Sequence, residues 1–163
     1  MRRALALGWL AGLLAACGGA DGPPSPAHQI RAMERAQADA EALWAQRGPA
    51  SYRLVTEFVT LGSDVTMTVE VRQGAVASHE CQLNHRQASI ACDIASRRPE
   101  RFTVDGLFAS ARELRVYAEG YKAIEPREAM SVVYDKDLGY PAIIRWTPPE
   151  WTGWTVVSFE PLP

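Results

Sequence analysis

Few side chains in this sequence have the types and spacing that chemistry needs. Asp135 and Asp137 stand two residues apart, as a general acid and a general base would if both lined a pocket. Their surroundings, Val133-Tyr134-Asp135 through Gly139-Tyr140-Pro141, read instead as a turn between two strands, where an aspartate caps backbone amides. His79, Glu80, His85 and Asp93 offer imidazole and carboxylate ligands to a metal, but six residues of strand would hold the two histidines about 20 Å apart. Solvated hairpin residues are the simpler account, and neither a metal nor a cofactor is expected. The remaining histidine, His28, sits near the start of a helix. No nucleophile elbow, phosphate-cradling glycine loop or HExxH segment occurs, so catalysis is not expected. Nor is nucleic-acid binding: 17 Lys and Arg face 19 Asp and Glu, and no run of consecutive cations offers a basic field.

The cysteines carry more. Met1-Arg2-Arg3 is a positive start, and Ala4 to Ala16 is an uncharged apolar run too short to span a bilayer, the pattern of a cleavable export signal. The run ends in Leu14-Ala15-Ala16-Cys17, which resembles the lipobox of bacterial lipoproteins. That resemblance implies a mature chain starting at Cys17 with a thioether-linked diacylglycerol and a third acyl chain on its amino group. At about 0.8 kcal/mol per buried CH₂, three chains make anchoring permanent. Gly18 is not the aspartate associated with inner-membrane retention, so the expected address is the periplasmic face of the outer membrane rather than the inner one. Without Arg2 and Arg3, 15 basic residues remain against 19 acidic ones, a net charge of −4.

Export places Cys81 and Cys92 in an oxidising compartment, and a disulfide between them is the natural expectation. A redox pair would want CxxC-type spacing instead. If residues 75–83 and 88–94 are both strands, the bridge crosses a hairpin. Closing that 12-residue loop contributes about 3 kcal/mol in the chain-entropy view.

The elements that would position these groups follow from periodicity. Residues 1–16 form the signal and 17–25 the lipidated cysteine with a Gly/Pro-rich tether, whose eight residues after Cys17 reach roughly 25 Å. Residues 26–163 form one domain. Ser25-Pro26 opens a helix with Ile30, Met33, Gln37, Ala40, Leu43 and Trp44 on one face, ended by Gly48-Pro49. From Tyr52 the period drops to 2: Tyr52–Leu61, then Val65–Arg72 with clean apolar/polar alternation, then Ala75–Leu83 after Gln73-Gly74, then residues 88–94 as a fourth strand. A second helix starts at the Thr103 N-cap, with Val104, Leu107, Phe108, Ala111, Leu114 and Ala118 as its apolar stripe. Strands Met130–Asp135, Tyr140–Thr147 and Gly153–Phe159 complete the chain. The expected class is α+β, an antiparallel sheet covered on one face, in the order α-β4-α-β3.

Three segments together resemble an uncharacterised bacterial envelope family, domain of unknown function 6174. They are Val133-Tyr134-Asp135 with Gly139-Tyr140-Pro141 and Ile143, the segment Thr103-Val104-Asp105-Gly106-Leu107-Phe108, and Trp44 followed by Tyr52. The likeness runs from Leu43 to Leu162 and implies a shared scaffold without supplying an activity. In the turn motif, Gly139 is expected at positive φ, Pro141 at a strand start, Tyr134 and Tyr140 packed across the hairpin, and Asp135 capping amides.

Trp146, Trp151 and Trp154 crowd around Pro148-Pro149. Trp146 and Trp154 can pair across a hairpin, while Trp151 lies in its loop, either exposed as a contact for an envelope protein or folded back onto the core. The expected function is that of a membrane-anchored, non-enzymatic binding or accessory module. The alternatives are an inhibitor of an envelope-directed hydrolase such as lysozyme, and a hydrolase using Asp135 or Asp137. Cys17→Ser is expected to leave an unprocessed precursor, and mass spectrometry of the mature protein to find a lipidated Cys17 at its start; any other first residue contradicts the assignment.

Overall fold

The computed structural model describes residues 25–60, 63–84, 89–120, 130–146 and 152–163. Cys17, His85, Pro148, Pro149 and Trp151 lie outside these residues.

Helix α1 (Pro26–Arg47) starts where proline costs nothing, because its missing N–H would be unpaired in the first turn anyway. The Ser25 carbonyl accepts from the amides of His28 (2.8 Å) and Gln29 (3.0 Å). At the far end Gly48 leaves the helix in extended conformation. Strands β1 (Tyr52–Thr60), β2 (Ser63–Arg72) and β3 (Ala75–Leu83) form a meander. Helix α2 (Ser89–Ser96), a 3₁₀ turn (Pro99–Phe102) and helix α3 (Val104–Gly120) follow. A second meander, β4 (Met130–Tyr134), β5 (Pro141–Trp146) and β6 (Thr152–Pro161), ends the chain.

The two meanders join through their outermost sequence neighbours. β1, the first strand, pairs antiparallel with β6, the last, giving the order β3-β2-β1-β6-β5-β4. The clean alternation of β2 puts Val65, Met67, Val69 and Val71 on one buried face, beside Leu54 and Thr56 of β1, Ile144 of β5 and Trp154 of β6. The helices cover that face with Ala40, Val104, Leu107, Phe108 and Ala111. Thr103 caps α3 as its residue type suggests: its hydroxyl accepts from the Gly106 amide (3.2 Å) and donates to the Glu100 carbonyl (2.7 Å). The 3₁₀ turn lies so close to this helix start that a Cβ on Gly106 would strike the Glu100 carbonyl oxygen.

The α+β class and antiparallel sheet agree with the sequence-based expectation, but the layout differs. Residues 89–96 form a helix, not a fourth strand, so the order is α-β3-α-α-β3 with six strands. The short run Ser89–Ser96 carries two periods at once: Ile90, Cys92 and Ile94 alternate as in a strand, while Ala91, Ile94 and Ala95 share a helical face. Helical spacing prevails because it buries Ala95 and half-buries Ala91 against the sheet. The Cys81–Cys92 disulfide is present, with a Cα separation of 5.6 Å. It therefore ties edge strand β3 to α2 instead of crossing a hairpin. The Trp146–Trp154 expectation is also corrected: the β5–β6 register sets Trp154 opposite Ile144 and Trp146 opposite Thr152. Pairing the two tryptophans would require a loop two residues longer.

Replacing both Cys81 and Cys92 by alanine is expected to lower unfolding free energy by about 3 kcal/mol in a denaturant titration. Alkylation of the oxidised native protein should label neither thiol.

Candidate functional site

An apolar recess opens where α2 and the 3₁₀ turn overhang the ends of the strands. Its floor is aromatic. Phe58 of β1 and Trp154 of β6 are direct cross-strand partners, with ring centroids 4.6 Å apart. Phe102 meets Phe58 edge-on at 6.0 Å, and Val65 of β2 completes the base. One wall is the sheet-facing side of α2, Ala91 and Ala95, with Ile94 at the mouth, where it is 63% exposed. The cleft encloses about 430 Å³. That lies within the roughly 300–1,000 Å³ of small-molecule sites.

Its polar groups are few and mostly donors. Arg98 and Arg101 stand at the rim, with the hydroxyls of Thr60 and Thr152. Arg101 is engaged: its Nη2 donates to Glu113 Oε2 at 3.1 Å. Arg98 makes no side-chain contact with a carboxylate among the described residues. Trp154 is only 7% exposed, and its indole N–H is buried without an acceptor among them. An unpaired buried donor costs about 1–3 kcal/mol, and the Thr56 hydroxyl of β1 is likewise buried without a partner among the described residues.

A second recess, about 200 Å³, lies between α1, α3 and β4 and is lined by Met33, Gln37, Arg115, Met130 and Tyr134. Here the polar groups satisfy one another. Gln37 Nε2 donates to Glu41 Oε1 (2.7 Å) and to the Phe108 carbonyl (3.2 Å), Arg112 pairs with Glu41, and Arg115 reaches Glu34 at 3.9 Å. Burial, then the nearby Glu41 charge, pushes the Tyr134 hydroxyl up to about 12. This network stitches α1 to α3, which is an architectural task.

The residues singled out from the sequence fall elsewhere. Asp135 Oδ1 accepts from the amides of Asp137 (3.0 Å) and Leu138 (2.8 Å), and the Asp135 carbonyl from that of Gly139 (2.9 Å). Asp137 pairs with Lys136 at 2.9 Å. Gly139 has φ +87°, and a Cβ there would strike the Ala40 carbonyl oxygen, so the turn docks directly on α1. Pro141 is buried at the start of β5, before pairing with β6 begins. Tyr134 stacks on Phe108 (6.2 Å), whereas Tyr140 stacks on Phe159 (4.9 Å), so the two tyrosines serve different contacts. Burial, then the Asp135 charge, raises the Tyr140 hydroxyl above its ordinary value. His79 and Glu80 are consecutive on edge strand β3 and so point to opposite faces. No group of three or more metal-ligating side chains is present among the described residues.

No family model, curated protein or solved structure matches this chain. The cleft residues Ile94, Arg98, Arg101 and Phe102 were not candidates from the sequence. A signal existed: Arg97, Arg98 and Arg101 fall within five residues, bracketed by Ile94 and Phe102. Taking 88–94 as a strand hid it, because the cleft's wall exists only if that segment is helical.

Proposed function

We propose that this protein is a lipid-anchored envelope protein whose folded body is a non-enzymatic binding module, with the cleft beneath α2 as its binding site. The observation that carries the reading is the cleft's lining. It is a sizeable apolar chamber, and the described residues that line it include no carboxylate, imidazole or thiol able to transfer a proton or attack a substrate. The hydrolase alternative draws no support from Asp135 and Asp137, whose oxygens are engaged by turn amides and by Lys136. The address rests on the export signal and on the lipobox resemblance at Cys17, with outer-membrane sorting proposed from Gly18. No helix among the described residues is long and apolar enough to cross a membrane.

A second contact surface supports the accessory or inhibitor reading. The sheet face turned away from the helices exposes Val59 (39%) and Val133 (50%) around Glu57 and Thr155, a surface on which an envelope protein can dock. The likeness to domain of unknown function 6174, proposed on the three motif segments, is compatible with either reading.

A neutral apolar dye such as N-phenyl-1-naphthylamine tests the cleft. Its emission is expected to rise saturably with the folded body, residues 25–163, and Ala91→Trp should weaken that binding at least tenfold while leaving the circular dichroism spectrum unchanged. Equal binding by the variant would overturn the assignment of the cleft.

A further inference from the structure

The polarity of the cleft specifies more than an apolar ligand. We infer that the cleft takes a single-chain amphiphile with one negative charge, a fatty-acid-type carboxylate, its hydrocarbon seated on Phe58, Phe102 and Trp154 and its head at Arg98. The inference rests on the cleft being the binding site and names the ligand class of that site.

Three observations carry it. First, the Arg98 guanidinium at the rim makes no side-chain contact with a carboxylate among the described residues, and it can only donate. A ligand that completes it must bring acceptors, and beside a guanidinium the best acceptor is an anion, held by charge-assisted hydrogen bonds. Second, the charge available is one. Arg101 is already paired with Glu113 at 3.1 Å, which leaves Arg98 as the lining cation without a carboxylate partner among the described residues. A monoanionic carboxylate fits that balance better than a dianionic phosphate monoester. Third, the rest of the lining is hydrocarbon. Aromatic rings form the floor, Ala91 and Ala95 form a wall thin enough to leave the space open, and Ile94 continues the apolar surface to the mouth, where it is 63% exposed. An exposed isoleucine beside an unpaired arginine is poorly placed for a free surface, but it suits the point where a chain emerges towards its head group. At about 430 Å³ the chamber has the size for a small molecule and not for a folded partner.

The position of Arg98 supports the assignment. It sits between α2 and the 3₁₀ turn, where its own amide donates to the Ala95 carbonyl (3.2 Å) and its carbonyl accepts from the Arg101 amide (3.1 Å). The side chain is thus attached to backbone fixed on both sides, while α2 is held to β3 by the disulfide. The fixed backbone keeps the guanidinium at the rim, and binding an anion is what orders the side chain.

Photo-crosslinking tests this on the full chain in the cell fraction that carries it, using ten-carbon probes with a diazirine at the chain end. One probe is the carboxylate and the other the matching alcohol. The carboxylate probe is expected to label peptides containing Ile94 or Phe102, with a half-saturating concentration at least tenfold below that of the alcohol. Arg98→Gln should raise the carboxylate value to the level of the alcohol and leave the alcohol's own value unchanged, and Arg98→Lys should restore most of the difference. If the alcohol labels the cleft as well as the carboxylate does, or Arg98→Gln shifts both probes equally, the anionic ligand class is wrong while the apolar cleft stands. If neither probe labels those peptides, the cleft itself is not the binding site.

Discussion

One aromatic contact set joins the parts of this fold that are farthest apart in sequence. Trp44, in the last turn of α1, meets three rings edge-on: Tyr52 of β1 (5.6 Å), Phe159 of β6 (5.8 Å) and Tyr140 of the turn before β5 (6.4 Å). Phe159 in turn stacks on Tyr52 (5.3 Å) and Tyr140 (4.9 Å). The Tyr52 hydroxyl then accepts from the Val104 amide at the start of α3 (3.1 Å), and burial raises its proton affinity above the ordinary tyrosine value. Each such ring pair contributes about 0.5–1.5 kcal/mol beyond its buried area. Helix, first strand, last strand, turn and second long helix thus meet at one node.

The node determines where the cleft can be. β1 and β6 have no local turn to hold them together, and their pairing is what makes one sheet of two meanders. The node clamps that pairing at the Tyr52–Phe159 end. At the other end of the same strands, six residues or about 20 Å along β1, Phe58 and Trp154 face each other as the floor of the cleft. There the covering is lighter: the eight-residue helix α2, fastened by a disulfide, in place of the 22-residue α1. A rigid end and a more thinly covered end on one pair of strands is an arrangement that leaves room for a ligand without weakening the scaffold.

What the sequence discloses and what it withholds follow from the range of each interaction. The alternation of Val65, Met67, Val69 and Val71, the Pro26 start of α1, the Thr103 cap and the Gly139 turn are local, and each is legible because a few neighbouring residues settle it. The disulfide partners are legible from count, since Cys81 and Cys92 are the two cysteines of residues 26–163. Helix α2 is not, since eight residues with two superimposed periods take their conformation from the bridge and from the sheet beneath. The β1–β6 pairing is invisible for the same reason, as it spans nearly the whole domain. The cleft is least legible, because Phe58, Phe102 and Trp154 each look like ordinary core residues until the topology brings them together around a space.

The coupling between Trp44 and Phe159 measures the node itself. In a double-mutant cycle by denaturant unfolding, with Trp44→Ala, Phe159→Leu and the combined variant, the node predicts a coupling energy of at least about 1 kcal/mol between a helix end and the last strand. Strict additivity, within about 0.3 kcal/mol, would show that the two residues stabilise the fold independently and that no such node holds the sheet closed.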